Sequence, residues 1–204
     1  LLPEVVESLT TSEVLAMTYM EGEPIEVLEE QPAARRNAAA SALLELAIRE
    51  VFDWGLVQTD PNFANYQYLP GDGKLVLLDF GATRAYTAAR RESLRQLLRA
   101  MAGGDDTDIT RSAIEVGYLG ENDPQEYRDF VLDLLHMASE PLRAGEDYDF
   151  GKTDLASRMS DTLIELRLRS KYGRIPPPDV LFLHRKLGGV YLLLSRLKAR
   201  ISTR

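Results

Sequence analysis

Cysteine is absent from the 204-residue chain, and histidine occurs only as His136 and His184. The first absence excludes disulfides, a thiolate nucleophile and Cys-type zinc sites, while leaving the redox compartment open. The two histidines have no ligand-spaced partners, so they read as core or surface side chains. No apolar run approaches the roughly 18 residues of a membrane-spanning helix, and the opening residues do not read as a signal peptide. Acidic residues outnumber basic ones, 32 to 24. The net charge of −8 argues against a general nucleic-acid binder. The start at Leu1-Leu2-Pro3, without Met, is that expected of a fragment. The length allows one domain or one large lobe with a sizeable core.

What is present centres on residues 55–84. Asp60 is followed by Asn65, and the apolar run Leu75-Val76-Leu77-Leu78 ends at Asp79-Phe80-Gly81. Between them, 66–69 reads as a short strand, Pro70-Gly71-Asp72-Gly73 as a turn, and 74–78 as the return strand. Such a hairpin carries Asn65 and Asp79 to one side. Phosphoryl transfer needs a carboxylate near the attacking hydroxyl or water and oxygen ligands for Mg²⁺ on the triphosphate. An Asp-x-x-x-x-Asn loop, a hairpin and Asp-Phe-Gly supply both in kinase-type sites. Asp60 is therefore the expected catalytic carboxylate, and Asn65 and Asp79 the expected metal ligands. Pro61 disfavours helical backbone at Asp60 and is expected to hold the loop extended. A second Asp-Phe-Gly, at 149–151, lacks the preceding apolar strand and the loop Asn, and reads as a loop or helix start.

The stretch resembles the UbiB-type, aarF-domain family of atypical protein-kinase-like ATPases that support ubiquinone biosynthesis. Gln58-Thr59 stand where ordinary protein kinases have His-Arg, and Thr59-Asp60-Pro61-Asn62 with Asn65 resembles the family's own catalytic loop. Residues 77–84, Leu-Leu-Asp-Phe-Gly-Ala-Thr-Arg, match it closely; further likeness lies at Pro176-Pro177-Pro178 and at 183–189. The resemblance implies a mainly α fold with a small β component, a protein-kinase-like large lobe with the small lobe absent. Residues 1–24 would be the end of the small lobe and a hinge-like strand. Residues 25–204 would be the helical lobe, with catalytic loop 57–66, hairpin 66–79 and Asp-Phe-Gly 79–81.

The resemblance further implies ATP and Mg²⁺ as cofactors. The backbone of Thr18, Tyr19 and Met20 would face the adenine. Implied partners are lipid intermediates, an anionic membrane surface or enzymes of ubiquinone biosynthesis. The implied location is cytoplasmic and peripherally membrane-associated in a bacterium, or the matrix side of the mitochondrial inner membrane. The family's Ala-rich loop, strand Lys, partner Glu and Lys-x-Gly-Gln segment match nothing in the chain. Its five lysines, Lys74, Lys152, Lys171, Lys186 and Lys198, all follow the hinge-like strand. The chain alone is thus expected not to turn over ATP. A small-molecule phosphotransferase is a second reading, weakened by the missing His before Asp60 and the intact Asp-Phe-Gly. A pseudokinase-like scaffold or lipid- or protein-binding lobe without turnover is a third, weakened by the retained Asp60, Asn65 and Asp79.

Elsewhere, 14–20 reads as a buried strand, and 34–54 as an Ala-rich amphipathic helix stopped by Gly55. On that helix Leu43, Leu44, Ala47, Ile48, Val51 and Phe52 form the buried stripe, Arg49, Glu50 and Asp53 lie away from it, and Trp54 is a packing residue. Helices are expected over 88–102, 106–118, 124–139, with Pro124 at the first position, and 153–170. Asp105, Asp106 and Asp108 lack the Gly and Glu of a calcium loop and read as a helix cap and first turn. Tyr172 to Ile175 and three prolines form a stiff connector to a final helix over 179–201. Leu183, Leu187, Val190, Tyr191, Leu194 and Leu197 form its core stripe. Six Lys or Arg and no acid follow His184, which suits an anionic surface or, preferably, a solvated helix face.

Overall fold

Alternating apolar residues, Gly-rich turns and capped amphipathic stretches resolve into short sheets set among helices. The computed structural model describes residues 1–60, 62–169 and 174–203, the side chains of 166–169 excepted. Its elements are β1 (Glu23–Pro24), α1 (Ala33–Arg49), β2 (Leu56–Gln58), β3 (Tyr66–Leu69), β4 (Lys74–Leu77), β5 (Thr83–Ala85) and α2 (Ala88–Gly103). There follow α3 (Asp106–Val116), α4 (Gln125–Ala138), α5 (Glu140–Arg143), β6 (Tyr148–Asp149), α6 (Leu155–Arg169), α7 (Pro178–Arg196) and β7 (Arg200–Ile201). The chain is mainly α, as expected. Three antiparallel sheets, β1-β3-β4, β2-β5 and β6-β7, are small additions. Among the described residues no helix is long and apolar enough to cross a membrane.

Helices α1 and α7 lie at the centre. On α1, Ala40 and Ala47 let Val190 and Leu194 of α7 approach, together with Tyr148, Phe150 and Ile201. Leu43 joins Ile25, Leu28, Tyr66, Tyr68, Leu193 and Leu197 beneath the β3–β4 hairpin. A third cluster, built by α2, α3 and α4 around Leu97, Ile109, Val116 and Val131, is closed by Val180 and Leu183. Helix ends follow the expected chemistry. Thr87 caps α2, accepting from the Arg90 N–H, and Asp105 caps α3, accepting from Thr107 and Asp108. Both helices stop at left-handed glycines, Gly104 and Gly117. Pro124 is the N-cap of α4 rather than its first residue.

Several further expectations need correcting. Residues 14–20 form no buried strand: Val14, Leu15, Met17 and Tyr19 are exposed. The segment pairs with 4–6 through a single Val5–Met17 bridge and flanking hydrogen bonds, with further bonds from Thr11 to Val14 and between Thr10 and Ala16. Glu50, placed away from the buried stripe, is buried, whereas Ile48 and Trp54 are exposed. Glu50 stands seven residues, about two turns, after the buried Leu43 and so on the same side of the helix. A π turn over Glu50–Trp54 follows, and its wider winding takes Trp54 off that side. The freed carbonyls of Phe52 and Asp53 accept hydrogen bonds from Arg91, and that of Phe52 also from Arg95.

On α7, Leu187 is exposed and Lys186 occupies the core in its place. That helix ends at Arg196, and Lys198 takes a left-handed conformation before β7. The second Asp-Phe-Gly starts in β6, paired with β7, rather than in a loop or helix start. The C-terminal cations are dispersed into ion pairs: Arg196 with Glu29, Arg200 with Glu146 and Lys186 with Glu50. His136 sits against Asp106, and His184 stacks on Tyr118, where burial pushes its imidazole pKa down. Pro61, Lys171, Tyr172, Gly173, Arg204 and the expected helix end at Ser170 lie outside the described residues.

Gly55 stands at φ +66°, and a Cβ there would come 2.9 Å from the Tyr86 carbonyl oxygen. Gly55→Ala is therefore expected to cost at least the ~1–2 kcal/mol of a left-handed alanine, read as a lowered urea midpoint. Asp179, at the start of α7, is held by Arg90 at 2.5 and 3.0 Å. That guanidinium holds the Asp179 carboxyl below its ordinary value of 3.8. The folded value is depressed, so the stabilisation is present above pH 3.8 and is lost as pH falls below it. Asp179→Asn should lower stability at pH 7 and flatten acid unfolding below pH 4, measured by circular dichroism at graded pH.

Candidate active site

Each side chain singled out in 57–84 is positioned by backbone pairing. β2 pairs with β5, Gln58 opposite Thr83. Beyond that ladder Thr59, buried, donates to the Ala82 carbonyl from both its N–H (3.2 Å) and Oγ1 (2.7 Å). The loop that carries Asp60 is thus tied to the residue after Asp-Phe-Gly. Asn65 closes a short 3₁₀ turn, Phe63–Asn65, capped by Asn62, whose side chain accepts from Ala64 N–H. β3 and β4 pair with Tyr66 opposite Leu77, and Leu78 N–H donates to the Asn65 carbonyl at 3.1 Å. Asn65 and Asp79 therefore stand at one end of the hairpin, as the spacing predicts.

Hydrogen bonds divide the polar atoms among tasks. Asn65 Nδ2 donates to Asp60 Oδ2 at 3.1 Å. With its nitrogen committed, the amide has Oδ1 to offer a cation. Asp79 Oδ1 accepts from Gly81 N–H at 2.8 Å, which leaves Oδ2 for the same use. An amide and one carboxylate suit Mg²⁺, which keeps several waters and takes further oxygens from phosphate. Among the described residues no group of three or more His, Cys, Asp or Glu could hold an ion. Arg185 of α7 reaches over the loop, with Nη2 3.9 Å from Asp60 Oδ1. Arg84 stacks on Phe182, its guanidinium carbon 3.6 Å from the ring centroid. A shallow depression of about 510 Å³ lined by Thr83–Tyr86, Pro178 and Asp179 adjoins β5. It is not over Asp60.

Asp60, Asn65 and Asp79 are brought together; Thr18, Tyr19 and Met20 are not joined to them. Thr18 exchanges hydrogen bonds with Glu4, its N–H donating to the Glu4 carbonyl and its Oγ1 accepting from Glu4 N–H, and Tyr19 is 88% exposed. Sequence reasoning missed Thr59, Arg185 and the buried pair Lys186–Glu50. A lysine inside the α7 stripe was the available signal. The second Asp-Phe-Gly repeats the local turn, with Asp149 Oδ1 accepting from Gly151 N–H at 3.1 Å. There the likeness stops. Phe150 is buried against Tyr148 and Tyr191, and Lys152 sits 3.6 Å from the Asp149 carboxylate, whereas Phe80 is 41% exposed beside the catalytic loop.

A helical lobe with an Asp-x-x-x-x-Asn loop and Asp-Phe-Gly joined by one hairpin is a kinase-like lobe. The model of the ABC1 atypical kinase-like domain matches residues 1–113. The chain is 33% identical over 207 residues to "Atypical kinase coq-8, mitochondrial" of Caenorhabditis elegans, covering 98% of this chain and 27% of that protein. It is 35% identical over 202 residues to "Atypical kinase COQ8B, mitochondrial" of Rattus norvegicus, covering 99% and 38%. A structure of the Rv3197–erythromycin complex from Mycobacterium tuberculosis shares the fold at TM-score 0.71 and 19% identity, covering 98% of this chain and 49% of that one. The chain belongs to the ABC1 atypical kinase-like family. It spans well under half the length of these curated relatives.

The contrast between the two Asp-Phe-Gly turns is testable in the full-length protein. Asp79→Asn is expected to weaken Mg²⁺-nucleotide binding sharply, on the scale of about 2–5 kcal/mol for a lost charged partner. Asp149→Ala should leave binding unchanged and cost only the ~0.5–2 kcal/mol of a lost cap-like bond. Calorimetry showing equal losses for both would contradict the assignment.

Proposed function

We propose that the chain is the large, catalytic lobe of a Mg²⁺-dependent ATPase or phosphotransferase that supports ubiquinone biosynthesis. The observation that carries this reading is the Asn65–Asp60 hydrogen bond, set beside the Asn65–Leu78 bond that brings Asp79 to the same edge. Asp60 is the carboxylate that orients the attacking hydroxyl or water and accepts its proton. Asn65 Oδ1 and Asp79 Oδ2 hold Mg²⁺, which would supply positive charge to the phosphate oxygens. Thr59, through Ala82, keeps the two halves of the site in register. ATP is the nucleotide, with the backbone of Thr18, Tyr19 and Met20 on its adenine side and residues 1–24 as the passage from the small lobe. Lipid intermediates, an anionic membrane surface or partner enzymes complete the reading. The relatives' designation as mitochondrial supports a mitochondrial location in a eukaryote, read as the matrix side of the inner membrane; a bacterial protein would be cytoplasmic and peripherally membrane-associated.

The test is ATP hydrolysis by the full-length protein with Mg²⁺. Turnover is expected to disappear with Asp79→Asn and to fall by about 10²–10⁴ with Asp60→Asn, the usual range for a lost general base. Mg²⁺-dependent turnover indifferent to both substitutions would refute the proposal.

A further inference from the structure

Lys186 is 1% exposed, in the middle of α7. A buried ammonium needs a counter-charge, and its Nζ lies 2.6 Å from Glu50 Oε2. It also donates to the Tyr66 hydroxyl at 3.1 Å. Burial pushes the Glu50 carboxyl pKa up, against the opposing pull of Lys186 and of a hydrogen bond from the Gln58 backbone N–H. The places where these contacts land matter. Gln58 is two residues before Asp60, and Tyr66 directly follows Asn65. One ammonium therefore meets the stem after the loop through the Tyr66 hydroxyl, and reaches the stem before it through Glu50, in the turn that runs into β2.

Stability alone does not account for this arrangement, because apolar side chains of similar volume serve a core equally well or better than a buried ion pair. Directional contacts to two chain segments do what apolar packing cannot: they fix the separation and angle of the stems. The neighbouring residue adds to the grip. Arg185 approaches Asp60 Oδ1 at 3.9 Å while Asn65 Nδ2 holds Oδ2, so the setting of α7 also governs what faces the carboxylate.

We propose that Lys186, with Glu50 and Tyr66, is a positioning residue of the catalytic loop, holding Asp60 and Asn65 at their working separation from beneath. This rests on the role given to Asp60 and Asn65 above. Small displacements are costly in such sites; a misplacement of about 1 Å can lower a rate about 10²-fold.

The test uses the full-length double variant Glu50→Gln/Lys186→Met, which removes both charges and leaves no unpaired buried ion, alongside Lys186→Met alone. Two quantities are measured: backbone hydrogen exchange in 57–66 against that in α3 and α4, and kcat and KM for Mg²⁺-ATP hydrolysis. In the double variant exchange in 57–66 should rise at least about tenfold with α3 and α4 protected as in the wild type. There kcat should fall about 10–100-fold, with KM nearly unchanged. Wild-type exchange in 57–66, exchange raised equally throughout, or a loosened loop with wild-type kcat would each overturn the proposal. Wild-type turnover that survives Asp79→Asn would instead refute the Mg²⁺-dependent reading. The exchange comparison then decides on Lys186 by itself.

Discussion

Taking an ammonium and a carboxylate out of water costs several kcal/mol per ion unless each finds the other and the remaining polar atoms are satisfied. In this lobe the pair is Lys186 and Glu50, and much of the architecture follows from meeting its requirements. The end of α1 presents the carboxylate on the same side as the buried Leu43. The Ala40 and Ala47 side of α1 lets α7 approach closely enough for the ammonium to reach it. Tyr66 gives the lysine a second acceptor, at the start of the hairpin that rests on the same two helices. Losing either charge would strand the other, so these elements hold together as a unit.

Two ladders then turn that scaffold into a site. The β2–β5 pairing sets the catalytic loop against the residues after Asp-Phe-Gly, and the β3–β4 pairing sets Asn65 beside Asp79. Side-chain bonds finish the arrangement with few atoms. The amide of Asn65 steadies a carboxylate with its nitrogen and keeps its oxygen free; Asp79 steadies a turn with one oxygen and keeps the other. Of these groups Asp79 is exposed and Asn65 buried.

Much of this was legible in the sequence because it is local. The hairpin follows from four turn residues between apolar runs, and two helix stops from Gly104 and Gly55, whereas the helix expected over 106–118 ends earlier, at Gly117. Asp60, Asn65 and Asp79 could be grouped because a hairpin is the shortest device that joins its own ends. What could not be read were contacts between distant segments. Glu50 looked solvent-facing because it is charged, although its spacing of seven from Leu43 puts it on the buried side of the helix. Lys186 looked like part of a basic surface because its partner lies 136 residues earlier. Val14 to Met20 looked buried because apolarity marks a tendency to be covered and says nothing of what covers it. The flanking strand and loop Asn told the two Asp-Phe-Gly copies apart, but the burial of Phe150 against the exposure of Phe80 is encoded by no three-letter motif.

The separation of these contacts along the chain has a consequence for synthesis. Lys186 meets Tyr66 across 120 positions, and Arg200 N–H reaches Asn37 Oδ1 across 163. On a ribosome adding about 5–20 residues per second, the loop carrying Asp60 leaves the exit several seconds before the helix that braces it. During that interval the Glu50 carboxylate has no ammonium to meet, and the apolar side of α1 has no α7. The nascent lobe must wait as a loosely collapsed chain with its central face uncovered, and it closes late, in a step joining its early and final segments. Such late, long-range closure makes folding slow and gives chaperones a defined window in which to act.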